Sequence, residues 1–160
     1  MDTLNPQERS ERMARVRSKD TKPEMRVRRL VHALGYRYRL HDGKLPGRPD
    51  LVFPGRKRVV FVHGCFWHQH RCPRGARMPK SRPEFWRPKL EGNRRRDARV
   101  VRELRRLGWR ALVVWECRTG PADAARLADR LIRFLGPRGP AAAVQGTNTS
   151  SGATTEFDGA

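Results

Sequence analysis

One hundred and sixty residues carry 36 Lys and Arg against 16 Asp and Glu, a formal charge of +20 and a pI near 11.6. The length fits one domain with a real core. No apolar run of about 18 residues exists to span a membrane, three cysteines are too few for a secreted disulfide framework, and the first residues lack the apolar stretch of a signal peptide. The cytoplasm is the expected home. An Arg-led imbalance of this size calls for a polyanion, nucleic acid first, with a merely soluble or ribosomal-type basic protein as the alternative.

Residues 1–20 are polar and mixed in charge and read as an arm, helical when bound or frayed. Thr21-Lys22-Pro23-Glu24 has the form of a capping box. Val27, Leu30, Val31 and Leu34 follow at helical spacing and Gly35 closes the pattern, predicting a helix over 22–34. Tyr36–Leu40 alternates like a strand, and 41–48 is a Gly/Pro-rich loop. Short apolar runs predict strands near 50–53 and 58–62, joined by Pro54-Gly55-Arg56-Lys57 as a hairpin turn. Residues 64–83 show no period, and so long a loop needs a cross-link or a function.

Helical period returns over 89–107, with Leu90, Val100, Val101, Leu104 and Leu107 expected inward. Trp109–Trp115 reads as a buried strand, and a last helix spans about 122–135 with Leu127, Leu131, Ile132 and Phe134 on its apolar face. From Gly136 the composition is that of a disordered tail. That tail holds Arg138, Glu156 and Asp158 as its only charges, so the positive charge belongs to the body. The order α, three strands, α, strand, α predicts a small mixed sheet flanked by helices. The expected division is an N-terminal arm (1–20), a folded domain (21–135) and a tail (136–160).

Chemistry concentrates in 48–72. Cys65, His70 and Cys72 have the spacing C-x4-H-x-C, which suits a tetrahedral zinc, and Cys117 after the WRALVVW strand is the natural fourth ligand. A buried or oxidised cysteine pair is the alternative. Asp50 opens the first strand of the hairpin and His63 ends the second, with His68 just beyond. A hard divalent ion wants carboxylate and carbonyl oxygen, and a neutral imidazole can take a proton from water. Spacing alone does not assign the three histidines: His70 has the cysteine company, while His63 and His68 are left for chemistry. Glu24 is a first-turn carboxylate that either caps or works. Phe66-Trp67 and Phe85-Trp86, on loops beside arginines, suit stacking on bases or wedging between them, or ordinary core filling. For Trp109 and Trp115 core filling is the expectation.

Leu45-Pro-Gly-Arg-Pro-Asp50, Val62-His-Gly-Cys-Phe-Trp-His68 with the following His70-Arg71-Cys72, and Trp115-Glu-Cys117 together resemble the very short patch repair endonucleases, over about residues 9–135. The resemblance implies a restriction-endonuclease-like α/β fold of the PD-(D/E)xK type with a structural zinc. It implies magnesium-dependent nicking of double-stranded DNA 5′ to the thymine of a T:G mismatch left by deamination of 5-methylcytosine. Under it, Asp50 and the Val62 main-chain carbonyl hold catalytic magnesium, of which two ions are expected. His68 is the general base, His63 sits near the scissile phosphate, Glu24 orients water and Asp97 orients His68. Cys65, His70, Cys72 and Cys117 match the zinc ligands; Met13, Phe66, Trp67 and Trp86 match residues that wedge into DNA. A MutL-type mismatch-repair partner and a monomeric state are further expectations.

Departures exist. Val62 stands where family members can have Thr, keeping the carbonyl and losing a hydroxyl. Gln69 and Arg71 interrupt what can be a histidine run. Phe61 and His63 replace the second acid and lysine of restriction-type nucleases, as this family's pattern implies. The rival readings are a zinc-stabilised DNA-binding protein without catalysis and a restriction-type nuclease of broader substrate range.

Overall fold

The computed structural model describes residues 5–16 and 18–138. Helix α1 (Pro6–Ala14) and helix α2 (Lys22–Ala33) precede strands β1 (Arg39–Leu40), β2 (Leu51–Phe53) and β3 (Arg58–His63). A long helix α3 (Pro83–Arg106), strand β4 (Arg110–Trp115) and helix α4 (Ala124–Leu135) complete the chain. The sheet runs β1-β2-β3-β4, antiparallel across the first three strands and parallel between β3 and β4. A parallel neighbour needs a crossover, and α3 supplies it.

Alternation along β3 sorts its side chains between two cores. Val60 joins Val27 and Val31 of α2, Leu51, Phe53, Val114, and Leu127, Leu131 and Leu135 of α4 on one face. Val59 and Phe61 meet Val52, Val100 and Leu104 of α3 on the other. His63 continues the second set, so the alternation carries its imidazole to the α3 side. Gly47 lets the loop before β2 close on α3: its φ is +73, and a β-carbon there would strike Val100.

Several expectations change. The strand over 36–40 contracts to two residues, because the register would set Tyr38 opposite Phe53, where Pro54 already turns β2 away. Thr21 does cap α2, accepting from Glu24 N–H at 3.4 Å, but the Glu24 carboxylate bonds Asp20 N–H at 2.9 Å instead of closing a box with Thr21. A full capping box occurs earlier, between Asn5 and Glu8, and starts α1 within the expected arm.

α3 begins at Pro83, six residues before its expected start, so Phe85 and Trp86 are helical rather than on a loop. Pro83 fits the first turn, where its missing N–H has no partner to lose. Leu107 is 57 % exposed at the C-cap, since Gly108 at φ +83 turns the chain there. Trp109 packs beside the α3-side core. The start of the expected tail is held: Tyr36 Oη donates to the Gly136 carbonyl, and Arg56 donates to those of Leu135 and Pro137. The rest of that tail, 139–160, lies outside the described residues. No helix among those described is long and apolar enough to cross a membrane.

Candidate active site and metal centre

The antiparallel hairpin sets the start of β2 beside the end of β3, and chemistry gathers at that end of the sheet. Asp50 Oδ2 accepts from the Val62 N–H at 2.6 Å. Asp50, Glu24, His41, Val62, His63, His68 and Asp97 line one cleft of about 570 Å³. Burial raises the Asp50 carboxyl from 3.8 to about 6; the Val62 N–H opposes that rise and the Glu24 charge adds to it.

His63 and His68 stack with ring centroids 3.8 Å apart and planes 7° from parallel. Burial first, then the neighbouring His68, lowers His63 to about 4, so it is neutral at pH 7. Asp97 faces the sheet on α3, three and seven residues before Val100 and Leu104. Its Oδ2 lies 2.6 Å from His68 Nδ1. A carboxylate only accepts, so His68 carries a proton on Nδ1, and a neutral ring keeps its lone pair on Nε2.

A second cluster lies just along the same loop. One ligand atom each from Cys65, His70, Cys72 and Cys117 falls within 4.8 Å of the others. His70 Nδ1 is 3.4 Å from Cys117 Sγ and 3.8 Å from Cys65 Sγ, and its ring stacks on Trp115 at 4.3 Å. Trp115, expected as core filling, therefore flanks both clusters, since its ring also meets His63 at 5.5 Å. Gly75 permits the tight path here: a β-carbon would overlap the His70 carbonyl. Burial pushes the Cys65 thiol up to about 12, while the Gly75 N–H pulls Cys72 down to about 6. Three thiols and an imidazole this close are a soft-ligand set able to hold one tetrahedral ion.

The rings form a third group. Phe66, Trp67 and Trp86 meet pairwise at 5.2 to 6.0 Å, and Lys89 Nζ lies within 5.8 Å of the Trp67, Phe85 and Trp86 rings. Asn93 Nδ2 donates to the Trp67 carbonyl at 2.9 Å, tying this loop to α3. Met13 on α1 reaches a neighbouring cavity of about 480 Å³ that Trp67, His68, Val62 and Glu24 also line.

Two groups were not anticipated. Glu116 Oε2 accepts from Cys65 N–H at 3.2 Å; its place beside Cys117 was the available signal. His41 sits 3.9 Å from both the Asp50 and Glu24 carboxylates, and Arg28 Nη2 touches it at 3.0 Å. Nothing in the 41–48 loop composition points to that contact.

An acidic group and two imidazoles facing one cleft, on a chain this basic, have the makings of a nucleic-acid hydrolase. Residues 1–74 match the family model described as DNA mismatch endonuclease Vsr. Over 136 residues the chain is 52 % identical to a type II nicking enzyme, V.XorIIP, of Xanthomonas oryzae pv. oryzae, covering 85 % of this chain and 98 % of that protein. It is 41 % identical over 135 residues to V.NmeAIP, a type II nicking enzyme of Neisseria meningitidis (84 % and 96 % covered). It is 44 % identical over 109 residues to the DNA mismatch endonuclease Vsr of Escherichia coli (68 % and 69 % covered). The chain belongs to the Vsr family of DNA mismatch endonucleases, and as such is a DNA endonuclease that hydrolyses phosphodiester bonds.

Proposed function

We propose that this chain nicks double-stranded DNA 5′ to the thymine of a T:G mismatch, on a restriction-endonuclease-like fold, with magnesium at Asp50 and zinc at the thiol cluster. The observation that carries the reading is the shared cleft. Asp50, a neutral His63 and a His68 oriented by Asp97 face the same space, in a family of mismatch endonucleases.

The donor set at Asp50 fits a hard cation: a largely buried carboxylate beside the Val62 main chain, with Glu24 near enough to raise its proton affinity. Magnesium held there supplies positive charge against the charge that develops on the phosphate. His68 Nε2 is the base that takes a proton from the attacking water, and Asp97 holds the ring in that tautomer. A neutral His63 donates one N–H to a phosphate oxygen. Glu24 orients the water. At the thiol cluster, Cys65, Cys72 and Cys117 with His70 fit a closed structural zinc site, which supplies cross-linking where the loop lacks secondary structure.

Met13, Phe66, Trp67 and Trp86 wedge beside the mismatch, where a weakened pair yields most easily. The Arg-rich surface supplies salt-dependent affinity for the backbone. A MutL-type protein remains the proposed partner, and a monomer the proposed state.

Nicking of end-labelled duplexes that differ only in a central T:G, T:A or C:G pair tests the reading, with and without magnesium. Selective, magnesium-dependent cleavage of the T:G strand is expected. Equal cleavage of all three removes the mismatch claim and leaves a nuclease of broader range.

A further inference from the structure

Beside the cleft, a charged arrangement is built around Glu24 and His41, two of the residues that line it. Arg28 lies one helical turn after Glu24 on α2, with its side chain 8 % exposed. Its Nη1 pairs with Asp20 Oδ1 at 2.7 Å, and its Nη2 with Glu24 Oε2 at 3.0 Å. The same Nη2 lies 3.0 Å from His41 Nε2. Ligand atoms of Asp20, Glu24 and His41 all fall within 4.8 Å of one another. That is the sort of cluster that holds a cation, and the guanidinium supplies one from the chain itself.

The geometry points to Arg28 and His41 as positioning residues of the nuclease centre: Arg28 orients the His41 imidazole, and together they hold the Asp50 and Glu24 carboxylates in place. This rests on the reading that those two carboxylates serve the hydrolysis.

The tautomer follows from donor chemistry. A guanidinium has only donors and does not deprotonate in proteins. A proton on His41 Nε2 would meet an Arg28 N–H head-on at 3.0 Å, so Nε2 is the acceptor. The ring proton is then on Nδ1, and Nδ1 is the atom that faces Asp50 Oδ1, at 3.9 Å. The opposite oxygen, Oδ2, is already held by the Val62 N–H. The carboxylate therefore accepts from a main-chain donor on one side, while on the other the dipole of an imidazole N–H faces it from 3.9 Å, beyond hydrogen-bond length, and favours its orientation electrostatically.

Two features show that the arrangement is held at a cost. His41 has φ +45, a left-handed conformation uncommon outside glycine, though histidine adopts it more readily than most residues, while its N–H lies 3.5 Å from the Asp50 carbonyl in continuation of the β1–β2 register. Arg28 Nε is buried with no hydrogen-bond partner. Strain and unmet donors persist where the surroundings over-determine a site, and functional centres are where they gather.

The test uses the full-length protein and the variants His41→Ala, His41→Asn and Arg28→Lys. Three quantities are measured: the single-turnover nicking rate on a T:G duplex, duplex affinity without divalent ions, and Mn2+ binding to the DNA-free protein by calorimetry. Loss of an outer partner of a metal-binding carboxylate costs roughly 10–100-fold. His41→Ala is expected to lose that much in both rate and Mn2+ affinity, with duplex affinity unchanged. Asparagine accepts the left-handed backbone and can place its amide N–H near the Nδ1 position, so His41→Asn should recover most of both losses. Arg28→Lys keeps the charge and loses the planar fork, and should fall in the same direction as His41→Ala.

A wild-type rate and Mn2+ affinity in His41→Ala overturns the inference. So does an Asn variant no better than Ala, or a parallel loss of duplex affinity, which would mark a merely structural role. If Arg28→Lys does not fold, the two His41 variants decide alone, because that ring is outside the core. Unimpaired nicking by Asp50→Ala is a separate result: it sinks the nuclease role of Asp50 itself.

Discussion

Asp50→Asn should make the ion-free protein more stable while abolishing its nicking. The side chain is only 15 % exposed, and burial dominates the rise of its carboxyl from 3.8 to about 6. Between about pH 4 and pH 6 the folded chain keeps a proton that the unfolded chain has released. Stability contributed by the neutral carboxyl is therefore complete below pH 4 and lost as the pH rises through 6. Two pKa units amount to about 3 kcal/mol at pH 7. Asparagine cannot ionise and escapes that loss, while its carbonyl can still accept the Val62 N–H.

Urea denaturation of both proteins in magnesium-free buffer, from pH 4 to pH 8, measures the difference directly. The variant's advantage should be near zero at pH 4, grow to about 3 kcal/mol by pH 7, and level off. Magnesium should then close the gap from the other side. An ion that binds only the folded wild type stabilises it by about 2.7 kcal/mol at a hundred times its dissociation constant. A variant less stable than wild type at pH 8, or an advantage that does not change with pH, refutes the account of Asp50 as a carboxylate kept charged against its burial.

Two further outcomes follow from the other clusters. Metal analysis of the purified wild type should find about one zinc per chain; Cys72→Ser should lose it and drop the melting temperature by roughly 5 °C or more, as a loss of a few kcal/mol implies for a chain of this size. Full zinc content in that variant would exclude Cys72 from the ligand set. Trp86→Ala should weaken binding to a T:G duplex by roughly 10–100-fold, given the 1–3 kcal/mol attached to base stacking, and should weaken a T:A duplex much less. Fluorescence anisotropy reads both affinities, and an equal loss on the two would assign Trp86 to general packing.

What the sequence conveyed well had local causes. Helix α2 is bounded by its cap and Gly35, and β2 and β3 by Pro54 and the apolar runs either side of it. The thiol cluster was legible because three of its four residues sit within eight positions of one another. What stayed hidden depends on contacts between distant segments. The first turn of α3 carries Pro83 and its next turn Pro88, with Gly92 beyond, and these break the helical pattern that the folded chain nevertheless adopts by packing Leu90 fully inside. The role of His41 needs a strand of two residues to set it opposite Asp50, and a register that short leaves almost no period to read.

The spacing between the two proposed metal sites has a mechanical meaning. His68 and His70 are two residues apart, yet one meets Asp97 and His63 while the other meets Cys65, Cys117 and Trp115. Gln69 between them has φ +48, and this left-handed residue sits where the chain divides the two imidazoles between the two clusters. The loop is otherwise held by turn bonds such as His68 N–H to the Gly64 carbonyl and His70 N–H to the Cys65 carbonyl, by Cys65 N–H on Glu116, by Asn93 on the Trp67 carbonyl and by the packing of Phe66 and Trp67 against Trp86. An ion that fixes His70 thus fixes one end of a three-residue span whose other end is the proposed base. On this argument the thiolate site bears on the rate through the placement of His68, so zinc loss should lower the nicking rate of molecules that remain folded.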